Sequence, residues 1–187
     1  VPIFKTEEEK AAIDAFVNNL NTTLKTKDIS VKYDDRDTQR PGYKFAEWEL
    51  KGVPIRLAIG ARDMQNGTVE LARRDTQTKE TVPQEGLADT IATLLDTIQE
   101  NIFQKALNFR DEHITEVNSY DEFKAVLETK GGFVSCHWDG TVETEKRVKE
   151  ETKATTRCIP LDNKEEEGIC IFTGKPSKQR ILFAKAY

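Results

Sequence analysis

The chain has 187 residues, of which 33% are charged, and a formal net charge of −5. This length allows one or two domains, and no apolar run approaches the roughly 18 residues of a membrane-spanning helix. The acidic balance argues against a protein whose whole surface binds nucleic acid, although a local basic patch remains compatible with it. Three cysteines, Cys136, Cys158 and Cys170, are typical of reduced thiols and favour a cytoplasmic location.

The first part of the chain alternates predicted strands and helices. Residues 1–4, VPIF, predict a short strand that the start of the chain cuts into. Thr6 and Glu9 form a capping-box pattern, and apolar residues then recur at helical spacing as far as Leu24. Residues 28–33, DISVKY, alternate apolar and polar side chains and predict a second strand that runs into a charged loop.

The next segment predicts a short helix and a hairpin. Pro41 and Gly42 begin a helix that ends near Leu50, because proline is tolerated in a first helical turn. Asn66 and Gly67 predict a tight turn between strands, and the predicted strands cover 54–59, 58–63, 68–72 and 78–82. Strands alternating with helices predict an α/β fold whose mixed β-sheet is flanked by helices.

The second part of the chain predicts a further, smaller α/β domain. A long apolar pattern over 87–113 predicts a connecting helix, and Ser119 with Glu122 begins a helix that ends at Gly131. A charged helix over 142–152 and strands over 133–137, 156–161, 168–172 and 180–187 follow. We therefore predict two domains, 1–105 and 106–187.

The stretch PGYKFAEWELKGVPIR, residues 41–56, carries the clearest chemistry. Phe45 and Glu49 lie one helical turn apart on one face, and Arg56 follows on the next strand. A guanidinium, a carboxylate and an aromatic ring together match the edge and face of guanine. The alternative is that Phe45 packs in the core and Glu49 forms a surface ion pair of little energy with Arg56, and spacing alone favours this alternative.

The stretch GICIFTGKP, residues 168–176, resembles half of a zinc knuckle. A knuckle needs two cysteines two residues apart, and Thr173 stands where the second would be. The same pattern also describes an ordinary hairpin turn at Gly174 and Pro176.

Three blocks together closely resemble the C-terminal half of prolyl-tRNA synthetases of the archaeal and eukaryote-like form. They are KFAEWELKGVPIRLAIGARD, KETVP, and the terminal run from KEETKATTRCIP to GKPSKQRILFAKAY. The resemblance covers essentially the whole chain. It implies an anticodon-binding domain followed by a smaller α/β C-terminal domain that is related to a zinc-binding domain.

The resemblance also implies roles for individual residues. Phe45, Glu49 and Arg56 are similar to the residues with which the family reads the two guanines common to proline anticodons. A further basic residue, the aspartate after it and a lysine in the following hairpin line the same surface in the family. These correspond here to Arg62, Asp63 and Lys79.

The implied function is recognition of tRNA(Pro) within an enzyme that attaches proline to this tRNA with ATP. The catalytic domain, with its ATP and Mg²⁺, is expected before Val1, so the chain alone is expected to need no cofactor and to be inactive. Further expected partners are the catalytic domain of the same chain and a second copy in a homodimer, with no membrane association. Tyr187 is expected to approach the active site of the full enzyme.

The zinc ligands of the family are largely replaced in this chain. The resemblance places Asp139, Thr144, Cys170 and Thr173 at the four ligand positions, and a threonine hydroxyl does not substitute for a thiolate. We therefore expect no structural zinc, and we expect Ile169, Ile171 and Phe172 to stabilise the hairpin by packing instead. A rescue site formed by Cys136, His137, Asp139 and Cys170 is the alternative.

Two other classes of function stay open at the level of sequence. One is a stand-alone RNA-binding or regulatory protein built on an anticodon-type domain. The other is an enzyme that depends on a thiol or a metal and uses Cys136, His137, Cys158 or Cys170.

Overall fold

A computed structural model describes residues 1–186, and the chain divides into two compact units after Gln104. The predicted ranges, 1–105 and 106–187, lie one residue from this division. The expectation for Tyr187 lies outside the described residues. Every helix among residues 1–186 is too short or too polar to cross a membrane.

The first unit is a four-stranded mixed sheet with helices. Its sheet has the order β1-β2-β3-β4, in which β1 is parallel to β2 and the other pairs are antiparallel. The strands are β1 (Pro2–Ile3), β2 (Ile55–Gly60), β3 (Thr68–Arg73) and β4 (Lys79–Pro83), and the helices are α1 (Glu7–Lys25), α2 (Pro41–Leu50), α3 (Ala61–Asn66) and α4 (Leu87–Glu112), which continues into the second unit.

Local sequence signals explain how α1 begins and what it buries. The Thr6 hydroxyl accepts a hydrogen bond from the Glu9 amide at 3.2 Å, as an N-cap does. Ile13 and Leu24 are then buried on one face of the helix. They form the core of the unit with sheet and α4 side chains, namely Ile59, Val69, Leu87, Ala88 and Ile91.

The strand predicted at 28–33 is wrong. Residues 29–33 have no ladder partner among the described residues and line a cavity of about 390 Å³ beside α1 and β2. An alternating pattern of apolar and polar residues does not by itself form a β-strand, because a strand is stabilised by pairing with a neighbouring strand. A side-chain hydrogen bond attaches the end of this segment to α1, because the Tyr33 hydroxyl donates to the Asp14 carboxylate at 2.6 Å.

The turn predicted at Asn66 and Gly67 is also different in the structure. Residues from Ala61 to Asn66 form the short helix α3, and Gly67 ends it with φ = 64°. The Asp63 carboxylate accepts the Gly60 amide at 2.8 Å and so stabilises the beginning of this helix. A glycine with positive φ serves a helix end as well as a hairpin turn, so the dipeptide did not distinguish the two.

The second unit contains a four-stranded sheet of order β5-β6-β10-β7 and a separate two-stranded ribbon, β8-β9. The strands are β5 (Ile114–Glu116), β6 (Phe133–His137), β7 (Ala154–Cys158), β8 (Gly168–Ile169), β9 (Pro176–Ser177) and β10 (Arg180–Lys185), and the helices are α5 (Tyr120–Thr129) and α6 (Val142–Thr152). Phe123, Phe172 and Phe183 pack edge to face in its core. The predicted α/β class, with mixed sheets flanked by helices, is confirmed.

Two predicted strands of this unit are shorter or shifted. β7 ends at Cys158, before Pro160, which cannot donate to a ladder. The strand predicted over 168–172 ends after Ile169, because the Cys170 carbonyl accepts the Gly174 amide and the chain turns. Phe172 is buried in this turn, whereas Ile169 is 65% exposed, so the packing expected from Ile169 is not found.

Candidate nucleic-acid interface

One face of the first sheet carries the charged side chains of Arg56, Glu70 and Lys79 next to two alanines. Arg56 lies opposite Ala72, and Ala72 lies opposite Lys79 on the next strand. Residues directly opposite in a sheet point to the same side. Glu70, which lies opposite Ala58, shares this face. The other face carries the core residues Ile59, Val69 and Leu71 and the partly buried Leu57, which packs against the core.

Helix α2 brings two of the predicted residues to Arg56. The centre of the Phe45 ring lies 3.6 Å from the central carbon of the Arg56 guanidinium, which is the distance of a cation–π stack. One turn later, a carboxylate oxygen of Glu49 lies 4.0 Å from Arg56 Nε. The structure therefore places Phe45, Glu49 and Arg56 close together.

Arg56 is buried with part of its hydrogen-bonding capacity unused. Its side chain is only 6% exposed, and Nη1 lies 3.4 Å from a carboxylate oxygen of Glu70. Among the described residues, Nε and Nη2 have no hydrogen-bond partner. Buried donors are nearly always paired in native proteins, so this edge of the guanidinium is suited to a ligand with two adjacent acceptors.

Glu49 supplies the complementary chemistry. Its side chain is 57% exposed, and its nearest described cation, Arg56 Nε, lies at the outer limit of an ion pair. The backbone carbonyl of Glu49 accepts from Arg74 Nε at 3.0 Å, which ties the end of α2 to β3. The carboxylate is thus available to accept from N–H groups beside the donors of Arg56.

The alternative interpretation, a core phenylalanine with a surface ion pair, fits the geometry less well. Phe45 is only partly buried and is not packed against the core of its unit. The neighbouring aromatic residue, Trp48, has the structural role instead, because its indole N–H donates to Asp34 at 2.8 Å.

Asp34 holds α2 in place over the sheet. Its carboxylate is buried and accepts from Arg36 Nε at 2.8 Å and Nη2 at 2.7 Å as well as from Trp48. The Arg36 guanidinium, helped by the Trp48 indole, keeps the pKa of Asp34 well below its usual range. Lys44 is buried beside it and donates to the Asp34 backbone carbonyl at 3.1 Å. This role of Asp34 was not predicted from the sequence, although the charged run after residue 33 was its signal.

The remaining predicted residues of the interface are placed differently. Lys79 is exposed on β4, on the same sheet face as Arg56. Arg62 is exposed on α3, and Asp63 accepts the Gly60 amide to cap that helix. Within the part of the chain that the structure describes, Lys79, Arg62 and Asp63 make no hydrogen bond or ion pair with Arg56 or Glu49, so the structure does not join them to the central three residues.

In the second unit, hydrogen bonds join three of the four positions that correspond to zinc ligands. One carboxylate oxygen of Asp139 accepts from the hydroxyls of Thr144 and Thr173, both at 3.0 Å. The other accepts from the Thr141 amide and hydroxyl. Burial raises the pKa of Asp139, but these hydrogen bonds outweigh it and hold the pKa below its ordinary value. We call Asp139, Thr141, Thr144 and Thr173 the Asp139 cluster.

The residues around this cluster do not fit a zinc ion. Threonine hydroxyls occupy two ligand positions, and residues 1–186 contain no group of three or more histidine, cysteine, aspartate or glutamate side chains placed to bind a metal. In the alternative rescue site, the Cys136 thiol is buried, and this burial raises its pKa to about 12. His137 instead contacts Ser177 at 3.2 Å and Glu166 at 3.5 Å.

Comparison with known proteins identifies both units. Residues 1–94 match the family model described as anticodon binding domain, and residues 120–187 match the one described as prolyl-tRNA synthetase, C-terminal. Proline-tRNA ligases of Flavobacterium johnsoniae, Flavobacterium psychrophilum and Porphyromonas gingivalis are 60%, 62% and 59% identical over 187 residues. These alignments cover 100% of this chain and 38% of each relative, so the chain spans well under half the length of these relatives. The chain therefore belongs to the anticodon-binding domain family and corresponds, with its second domain, to the C-terminal part of prolyl-tRNA synthetases.

Proposed function

We propose that this chain recognises the anticodon of tRNA(Pro), as the RNA-binding part of an enzyme that attaches proline to this tRNA with ATP. One observation carries the proposal. Arg56 is buried and stacked on Phe45 with Nε and Nη2 without a hydrogen-bond partner, and the exposed carboxylate of Glu49 lies 4.0 Å from Nε.

The proposed recognition uses hydrogen-bond donors and an acceptor that lie side by side. Arg56 donates through Nε and Nη2 to O6 and N7 of a guanine. Glu49 accepts from the N1–H and N2 amine of a guanine, either the same base or the adjacent one of the pair. Phe45 fixes the plane of the guanidinium and offers an aromatic surface to the bases.

Lys79 and Arg62 have a different proposed role. Both are exposed cations, and Lys79 lies on the sheet face of Arg56, so they suit phosphate contacts, which position the RNA without reading its sequence. Asp63 acts through the α3 cap that it forms, because this cap fixes the helix that carries Arg62.

Several properties of the proposed enzyme concern more than the residues that the structure describes. We propose that the proline and ATP site, with its Mg²⁺, belongs to the part of the relatives' length that this chain does not span. Assembly as a homodimer, a cytoplasmic location, the archaeal and eukaryote-like form and the approach of Tyr187 to the active site stay predictions.

The proposal is tested by substitution of the two reading residues. Fluorescence anisotropy would measure binding of the chain to the anticodon stem-loop of tRNA(Pro). Arg56→Ala and Glu49→Ala should each weaken binding by about tenfold or more, as expected for loss of a good base contact. Glu80→Ala is the matched control, because Glu80 is exposed on β4 and points to the opposite side of the sheet from Lys79. Unchanged affinity of folded Arg56→Ala and Glu49→Ala variants would contradict the proposal.

A further inference from the structure

We infer that Glu70 is a positioning residue for Arg56, which holds Nη1 and so keeps the buried Nε and Nη2 edge free of a protein partner and ready to pair with a guanine. The inference rests on the proposed function and adds a residue that contacts Arg56 rather than the RNA. Glu70 lies on β3, and its carboxylate is 3.4 Å from Arg56 Nη1.

Two carboxylates approach the same guanidinium from different elements. Glu70 contacts Nη1 from β3, whereas Glu49 approaches Nε from α2 at 4.0 Å. A carboxylate and a guanidinium readily form a bidentate pair. If Glu49 closed onto the Nε and Nη2 edge, both groups proposed to read the RNA would be occupied by each other.

Glu70 prevents this closure in two ways. Its hydrogen bond to Nη1 restrains rotation of the guanidinium, and β3 is paired on both sides, which fixes the position of Glu70. Its negative charge also offsets the cost of burying a guanidinium that is only 6% exposed. Arg56 therefore has a charge partner on β3 that is closer than the carboxylate of Glu49.

The unpaired edge of Arg56 favours a base over a phosphate. Nε and Nη2 require two adjacent acceptors, which both guanine and a phosphate group provide. The carboxylates of Glu49 and Glu70 lie within 4.0 Å of the guanidinium, and they repel an anion. A neutral base with acceptors on one edge and donors on the next suits this arrangement, and guanine is that base.

Binding of RNA that lacks one acceptor tests the inference. The probes are the tRNA(Pro) anticodon stem-loop and two copies in which one or the other guanine is replaced by 7-deazaguanine, which has no N7. The wild-type chain should bind one of these copies about tenfold more weakly, because a bidentate contact becomes single. In Glu70→Gln, which keeps the size of the side chain, this difference should shrink to about twofold or less.

Two further variants separate positioning from a general effect on the fold. Glu80→Gln removes the same charge from the opposite side of the sheet and should keep the full wild-type difference. Adding Glu49→Gln to Glu70→Gln removes the competing carboxylate, so the difference between guanine and 7-deazaguanine should partly return. A role of Glu70 in stability alone does not predict this return.

The outcomes distinguish this inference from the proposed function. If the wild-type chain discriminates against 7-deazaguanine and Glu70→Gln does so equally, the positioning role is wrong and the proposed function stands. Failure of Glu49→Gln to restore any discrimination would also overturn it. If the wild-type chain itself binds all three RNAs equally, the assignment of Arg56 to a guanine fails.

Discussion

Single carboxylates organise both units at the scale of residues. Asp34 joins Trp48, Arg36 and the backbone to hold α2, and Asp139 joins three threonines in the second unit. Hydrogen bonds to a charged acceptor are stronger than those between neutral groups. The Asp139 cluster thus links the start of α6 to the turn at Thr173.

Removal of the charge of Asp139 should destabilise the second unit. In Asp139→Asn the amide nitrogen cannot accept from a hydroxyl, so at least one pair of hydrogen bonds is lost. We expect a decrease of about 1–2 kcal/mol in the free energy of unfolding, which urea denaturation would measure. Asp162→Asn is the control, because Asp162 is exposed and makes no hydrogen bond among the described residues. Equal stability of the two variants would show that the cluster contributes nothing.

The contribution of Asp139 should depend on pH with a definite sign. Its pKa is lower in the folded protein than in the unfolded chain, so its stabilising effect is full above the unfolded pKa. The effect is lost as pH falls through the lower folded value. The stability difference between wild type and Asp139→Asn should therefore shrink on acidification, and a difference that grew would contradict the account.

At the scale of elements, the link between α5 and β6 depends on two glycines with different surroundings. Gly131 and Gly132 both have positive φ, of 66° and 78°. A Cβ on Gly131 would meet open space, whereas one on Gly132 would lie 2.5 Å from the His113 carbonyl oxygen. That carbonyl accepts the Phe133 amide at the beginning of the β5 and β6 pairing.

The two glycines therefore form a matched pair of substitutions. Gly131→Ala should cost about 1–2 kcal/mol of unfolding free energy, because alanine resists the left-handed conformation. Gly132→Ala should lower the unfolding free energy by the same amount and by about 1–3 kcal/mol more, because its Cβ would clash with the His113 carbonyl oxygen. Thermal or urea unfolding of both variants would measure the difference, and equal losses would show that the backbone of His113 moves freely.

Elements with local signals could be predicted from the sequence. The caps at Thr6 and Ser119 fix where α1 and α5 begin, because a cap needs only residues three positions apart. The strand predicted at 28–33 failed for the opposite reason, since a strand depends on a partner that hydropathy does not report. The beginning of α3 also depends on a contact, between Asp63 and Gly60, that the turn pattern did not reveal.

In the candidate site, too, residues with local signals could be predicted and residues placed by distant contacts could not. Phe45 and Glu49 could be paired by helical spacing, and Arg56 follows them closely in sequence. Glu70 could not be found, because in a strand of alternating residues it resembles any half-exposed glutamate until the register of β3 is known. The Asp139 cluster combines two separate segments, 139–144 and the turn at Thr173, so the hydrogen bond that joins them is likewise visible only in the folded chain.

At the scale of the whole molecule, the charge distribution fits recognition of bases better than a general attraction to RNA. The chain has a net charge of −5, and two carboxylates flank the guanidinium at the proposed site. Binding that relies on phosphates weakens steeply with salt in proportion to the contacts made. Few phosphate contacts are expected here. Specificity should come from the hydrogen bonds that Arg56 and Glu49 make with the bases.

The most direct test of the central claim is a comparison of two RNAs at one salt concentration. Anisotropy titrations would measure the dissociation constants of the wild-type chain for the tRNA(Pro) anticodon stem-loop and for the same stem-loop with both guanines changed to cytosines. Loss of at least one bidentate contact predicts binding at least about tenfold weaker for the changed RNA. Equal dissociation constants for the two RNAs would contradict the account.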